Sequence, residues 1–242
     1  MLEPVNTYSA KWFELFMLSI NPEKTAREVE FIMDQLPLDH FLSLLDICCG
    51  VGRHSNRLAS LGYEIVGFDS DASILERAGE DAPLTNSPQY IHMSLDDLED
   101  FREKFDAALL LWQSFGSGSD EKNIRQLMSI NRVLKPKGRL IIDLYHRGFF
   151  EAHQGSTQGE RLGLRYTEHK HVSPDGRLRV NLDYGDTSMS DKFEWRLYYP
   201  SEFIEMAKNA GFECLGHFRE FDSNLQSSIK TPRVQYVLEQ KG

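Results

Sequence analysis

Apolar positions recur along the chain with two different rhythms. Residues 9–20 place Trp12, Phe13, Phe16, Met17 and Ile20 at helical spacing. Asn21 and Pro22 then restart a helix as N-cap and first helical residue, and Val29, Ile32, Met33 and Leu36 carry its apolar stripe to residue 36. From about residue 43, short continuous apolar runs alternate with helical stretches. Strands are predicted over 44–48, 64–68, 90–93, 105–112 and 139–144, and helices over 53–61, 71–80 and 121–134. Lys135-Pro136-Lys137-Gly138 reads as a helix stop. Strands separated by helices at this spacing imply a parallel sheet covered on both faces, a Rossmann-like α/β sandwich.

The rhythm changes at residue 160. Between 160 and 199 three stretches alternate apolar and polar residues, with Ser173-Pro174-Asp175-Gly176 as a turn between the first two. This predicts a small three-stranded antiparallel β insertion between the fifth strand and the last helix, serving as a cap or an interface. A helix over 200–210 and strands over 212–221 and 234–239 follow, and the polar residues 222–232 are expected to form a mobile loop.

Composition narrows the class. With 242 residues and 40% hydrophobic content, the chain suits one α/β domain with an embellishment better than two enzymatic domains. A net charge of −10 argues against general affinity for nucleic-acid backbones, and no apolar run is long enough to span a bilayer. Cys48 and Cys49 are adjacent, too close for ordinary disulfide geometry, and Cys214 stands apart; no spaced pairs suggest a zinc site. Residues 1–4 carry no basic cluster leading into an apolar run, so a cytoplasmic location is expected.

The chemistry concentrates where the first strand meets its helix. Asp46 ends the strand, Cys48-Cys49-Gly50-Val51-Gly52 forms the loop, and the next strand ends in Asp69. Gly50 and Gly52 let a backbone pass close beneath a ligand, and an acid at the second strand end, roughly 20 residues on, accepts hydrogen bonds from ribose hydroxyls. A dinucleotide site wants a third glycine where this chain has Ser55. Asp46 suits a cationic ligand better than a pyrophosphate, so the charge logic favours a sulfonium cofactor over a nicotinamide one.

Residues 45–71 (LDICCGVGRHSNRLASLGYEIVGFDSD) resemble motif I through motif II of bacterial class I methyltransferases, in the branch whose loop reads CGxGRH. The likeness extends to Phe105-Asp106, to residues 111–116 and to residues 132–138. It implies a single methyltransferase domain over 1–242, a seven-stranded sheet with an antiparallel final hairpin, and helices of residues 1–36 acting as a lid. It also implies S-adenosyl-L-methionine lying across the ends of the first, second and fourth strands. By the same resemblance, Asp46, Cys48, Gly50, Gly52 and Arg53 line its methionine part, Asp69 holds the ribose, and Ser70 or Leu75 borders the adenine. Leu111 and Trp112 close over the sulfonium. Ser94 stands where relatives often carry an acid for the adenine amine, so Asp96 or the Leu95 carbonyl is expected to replace it.

Methyl transfer from a sulfonium is an in-line displacement, in which the protein aligns the nucleophile and sometimes takes a proton. Tyr145 and His146, just after the fifth strand, are the candidate catalytic residues; His54 suits a structural hydrogen bond or catalysis. His169 and His171 share one strand face without a matching partner pair, so no metal is expected. Tyr8 and Trp12 suit a lid or ordinary packing, and Trp195, Tyr198 and Tyr199 an acceptor wall or a homodimer contact through the inserted sheet. Together these features predict a methyltransferase acting on a small-molecule acceptor. The alternatives are a macromolecular acceptor such as tRNA or protein, which a basic face of Arg161, Arg165, Lys170, Arg177 and Arg179 would favour, and a non-catalytic cofactor-binding homologue, which a pocket filled by aromatic side chains would favour.

Overall fold

The computed structural model describes residues 6–101, 104–185 and 188–241; residues 1–5 of the expected lid lie outside the described residues. Strands β1 (Ser43–Ile47), β2 (Glu64–Asp69), β3 (Gln89–His92), β4 (Phe105–Leu110) and β5 (Leu134–Tyr145) pair in parallel in the order β5-β4-β1-β2-β3. Alternate residues of each strand enter opposite cores. Leu45, Ile47, Ala108 and Leu110 pack on one side with helices α5 (Asp120–Val133) and α7 (Pro200–Asn209). Leu44, Ala107 and Leu109 pack on the other with α2 (Pro22–Gln35) and α3 (Arg53–Ser60). Burial on both faces is why these strands are continuous apolar runs in the sequence.

The Rossmann-like class holds, with an eighth strand in the main sheet. Strands β10 (Phe212–Arg219) and β12 (Arg233–Gln240) add antiparallel to β5, and β11 (Asp222–Gln226) pairs outside β10. That last strand occupies part of the segment expected to be a mobile loop. Its residues are too polar to show a strand pattern, but Glu220 and Phe221 turn the chain tightly with positive φ, and Phe221 is buried against Phe31. Strand β5 also begins earlier than expected. Its ladder jumps from Phe105↔Leu134 to Ala107↔Arg139, so the Lys135–Gly138 stop is a bulge inside the strand. At the other end of the chain the single helix expected over 9–20 is a short turn, α1 (Ala10–Trp12), that runs into a π-helical turn, Phe13–Met17.

The second sheet has four antiparallel strands rather than three: β6 (Gly155–Arg161), β7 (Leu164–Val172), β8 (Arg177–Tyr184) and β9 (Ser190–Arg196). The stretch read as its first strand folds back at Leu162-Gly163. Both residues have positive φ, 51° and 77°, as a two-residue hairpin of right-handed twist requires. Helix α6 (Arg147–Ala152) joins this sheet to the end of β5, and α4 (Ala72–Glu80) follows β2. The N-terminal residues lie along β9: Thr7 N–H donates to the Lys192 carbonyl at 2.9 Å, and Ser9 donates to Asp191 through its N–H at 3.0 Å and its hydroxyl at 2.7 Å.

Candidate active site

A cavity of about 1000 Å³ opens between the carboxyl ends of β1, β2 and β4 and the inner face of the four-stranded sheet. The β1 end shapes its floor. Asp46 shares a strand face with Leu44 and is buried, with the Ser55 hydroxyl of α3 donating to it at 2.5 Å. Burial pushes its carboxyl up to about 6, with the Ser55 hydrogen bond opposing. Ser55, which departs from a dinucleotide fingerprint, is thus the partner of the strand-end carboxylate.

Past Asp46 the chain turns through Cys48, Gly50 and Gly52, all at positive φ. The two glycines serve different ends. A Cβ on Gly50 would meet only Met17 Cε at 3.9 Å, leaving its cavity side open. A Cβ on Gly52 would lie 2.2 Å from the Tyr90 hydroxyl, so this glycine answers to packing and not to a ligand. Asp69, at the end of β2, holds the loop by accepting from the Gly50 N–H at 2.9 Å and the Asp71 N–H at 3.1 Å; burial raises its pKa.

Behind the loop lies a residue that sequence reasoning missed. Glu28 of α2 is buried and accepts from Arg53 at 2.5 Å, His54 at 2.8 Å and the Trp112 indole at 3.2 Å. Burial pulls its carboxyl upward, but the hydrogen bonds from His54 and Arg53 and the charge of Arg53 outweigh it and hold the group at about 2. Glu28 lies one turn before Ile32 on the buried helix face, and a carboxylate on an apolar stripe was the legible signal. Burial lowers His54 to about 4, which fits a neutral structural partner of Glu28.

The end of β4 forms the opposite lip. Trp112 and Gln113 both adopt positive φ, 60° and 61°, which ends the strand at Leu110 and stores strain that several partners hold in place. The buried Asp143 carboxylate accepts from the Trp112 N–H at 3.0 Å and Gln235 at 2.7 Å, and pairs with Arg233. Three cations stack on the Trp112 ring, Lys24 at 4.3 Å and Arg53 and Arg233 each at 4.8 Å from its centroid. Arg53 lines the cavity, and its Nη2 is buried without a hydrogen-bond partner.

Of the residues singled out from the sequence, Asp46, Cys48, Gly50, Arg53, Asp69, Ser70, Leu111, Trp112 and Tyr145 come together on this cavity. Gly52, Leu75, Ser94, Leu95 and His146 do not. Leu75 and Leu95 are buried, Leu95 in the main core. The Ser94 hydroxyl caps the 3₁₀ turn Leu95–Asp100, and Asp96 is held by Lys122 at 2.7 Å and Gln126 at 2.9 Å. His146 is the buried N-cap residue of α6. Tyr8 and Trp12 line the cavity, as does Trp195, whereas Tyr198 is buried in the core and Tyr199 remains exposed. His169 pairs with Asp183 on the outer face of the second sheet, at 3.2 Å.

Comparison with known proteins agrees with the geometry. Residues 44–138 match the family model of the methyltransferase domain. The chain is 28% identical to a putative methyltransferase, YqeM, of Bacillus subtilis (strain 168), covering 70% of this chain and 73% of that protein. It is 25% identical to a glycine/sarcosine N-methyltransferase of Halorhodospira halochloris, covering 93% and 85% respectively. A crystal structure of an S-adenosylmethionine-dependent methyltransferase from Clostridium acetobutylicum ATCC 824 superposes with a TM-score of 0.79 at 16% identity, covering 96% and 97%, and shares the fold. The fold and the matched segment are those of class I methyltransferases. The chain is an S-adenosylmethionine-dependent methyltransferase, and S-adenosylmethionine is its methyl donor.

Proposed function

We propose that the enzyme methylates a small molecule held between the strand ends and the four-stranded sheet. One observation carries this: the donor loop and the aromatic inner wall of the second sheet face each other across the same cavity, with Tyr8 and Trp12 on its border. A volume of about 1000 Å³ is at the upper end of ligand pockets and accommodates donor and acceptor together. The N-terminal residues act as a lid and the second sheet as a cap. The relative that methylates glycine and sarcosine spans nearly this whole chain, which supports a small acceptor, and the Cys49–His54 loop supports the CGxGRH branch.

In this reading Asp69 accepts from the ribose hydroxyls, Asp46 faces the ammonium, and Arg53 takes the carboxylate of the methionine part. Gly50 and Cys48 pass beneath it, Ser70 borders the adenine in place of Leu75, and Leu111 and Trp112 close over the sulfonium. When bound, the cofactor supplies an electrophilic methyl group on a positively charged sulfur. The chain aligns the nucleophile with that group and excludes water; Tyr145 reaches the acceptor side, and His146 is withdrawn as a base because it is buried off the cavity. The three cysteines are unpaired, which suits a reducing cytoplasm.

A macromolecular acceptor fits less well. The five basic residues that would mark it do not form one free face. Arg177 and Arg179 pair with Glu194 at 3.2 and 2.7 Å, Lys170 pairs with Glu168 at 3.0 Å, and Arg161 and Lys170 border the cavity. Ion pairs such as Arg179–Glu194 and His169–Asp183 also make the outer face of the second sheet a polar surface, a poor homodimer contact. The cavity's volume argues against a non-catalytic homologue with a filled pocket.

Isothermal titration with S-adenosylmethionine tests the donor site, with micromolar binding expected; no binding would overturn the proposal. Asp69→Ala should weaken that binding by about tenfold or more, the worth of a hydrogen bond to a charged group. Wild-type affinity in this variant would show the ribose assignment to be wrong. Radiolabelled cofactor with metabolite extracts then identifies the acceptor, with the same variant as the dead control.

A further inference from the structure

The inner face of the four-stranded sheet is divided. On β8 and β9 its positions are apolar, with Leu178, Val180 and Trp195 on the cavity wall. On β6 and β7 the same wall carries Arg161, Glu168 and Lys170. Burying the Lys170 ammonium costs desolvation and adds little to packing, and Arg161 stays exposed beside it, so these cations over a ligand cavity ask for a charged ligand.

The local charge has a sign. Lys170, largely buried, donates to Glu168 at 3.0 Å and to Thr157 at 3.1 Å. Arg161 donates to the Leu15 carbonyl at 3.2 Å and lies over the Phe16 ring at 5.2 Å, with no carboxylate partner among the described residues. Two cations against one carboxylate leave this wall one positive charge in excess. The donor end holds no such surplus for an acceptor, since Arg53 and Arg233 are matched by Glu28 and Asp143, and Lys24 is offset by the carboxylates of Asp46 and Asp69 on the same end of the cavity.

Resting on the small-molecule methyltransferase reading, we propose that the acceptor is an amphipathic carboxylate. Its apolar body lies against Leu178, Val180 and Trp195, and its carboxylate is taken by Arg161 with Lys170. The guanidinium offers paired donors that match two carboxylate oxygens, and the ammonium adds a point charge. Glu168 competes for Lys170 and thereby tunes the affinity.

The test uses full-length protein saturated with S-adenosylhomocysteine, the demethylated cofactor. Two aromatic acids, indole-3-propionate and 4-hydroxyphenylacetate, are titrated calorimetrically beside their own amides and beside tryptamine. At least one acid should bind about tenfold more tightly than its amide. Arg161→Gln and Lys170→Gln should each weaken that acid by about tenfold, and Glu168→Gln should tighten it by about threefold. Affinity for S-adenosylhomocysteine should stay within about twofold in all three, showing that the fold and donor site survive. The proposal fails if amides or tryptamine bind as well as the acids, if neither acid binds below about 10 mM, or if the Arg161 and Lys170 variants keep wild-type affinity. Failure of the wild type to bind S-adenosylhomocysteine would instead overturn the methyltransferase reading beneath it.

Discussion

At the end of β1 the Asp46 carboxyl is buried beside the Ser55 hydroxyl, and burial pushes it up to about 6. A carboxyl raised in this way is protonated below that pH and ionised above it. If its anion faces the donor's ammonium, affinity should climb as pH rises through about 6, and Asp46→Asn should bind weakly with a flat profile. Calorimetry between about pH 5 and pH 8 reads this directly. The sign for stability is opposite: a folded pKa above the unfolded one helps the empty fold at low pH, and that help is lost as pH rises through about 6. The two loop glycines make a second contrast at this scale. Gly52→Ala meets Tyr90 and should destabilise the fold by about 3 kcal/mol through overpacking plus left-handed strain. Gly50→Ala meets open space and should cost about 1 kcal/mol of strain while weakening the donor more than Gly52→Ala weakens it per unit of stability lost. Denaturant titration beside calorimetry separates them.

Among the elements, the N-terminal segment depends most on a distant partner. Asp191 of β9 is buried and receives both the N–H and the hydroxyl of Ser9, which also caps the turn that carries Trp12. Asp191→Ala should release residues 6–17 from the second sheet. Their amide exchange should accelerate while that of β1 and β4 is unchanged, and donor affinity should fall by severalfold. Unchanged protection of the segment would show that aromatic packing, such as Trp12 on Phe193 at 6.0 Å, suffices to hold it.

For the molecule as a whole, the donor is a ligand of the folded state. At about 100 times its dissociation constant it should contribute about 2.7 kcal/mol, and for a chain of this size that raises the melting temperature by about 5–10 °C. A thermal melt with and without S-adenosylmethionine checks this; Asp69→Ala, binding about tenfold more weakly, should remove about half of the shift.

What the residue order determined by itself is local. Strands buried on both faces must be continuous apolar runs, so the parallel sheet was legible, and a loop at a strand end must carry Asp46, Gly50 and Asp69 within one βαβ unit. Polar strands such as β11 leave no period to read, and the turn at Leu162-Gly163 hid inside an alternating stretch. Contacts distant in sequence were decided only by the tertiary structure. Folding brings Glu28 to Arg53, His54 and Trp112, and Arg233 to Asp143, 90 residues away. It also took Leu95 and His146 into buried positions and turned Arg161 and Lys170 of the second sheet toward the cavity. The reason is physical: a strand or loop pattern records which side of an element is buried, and only packing decides what lies on that side.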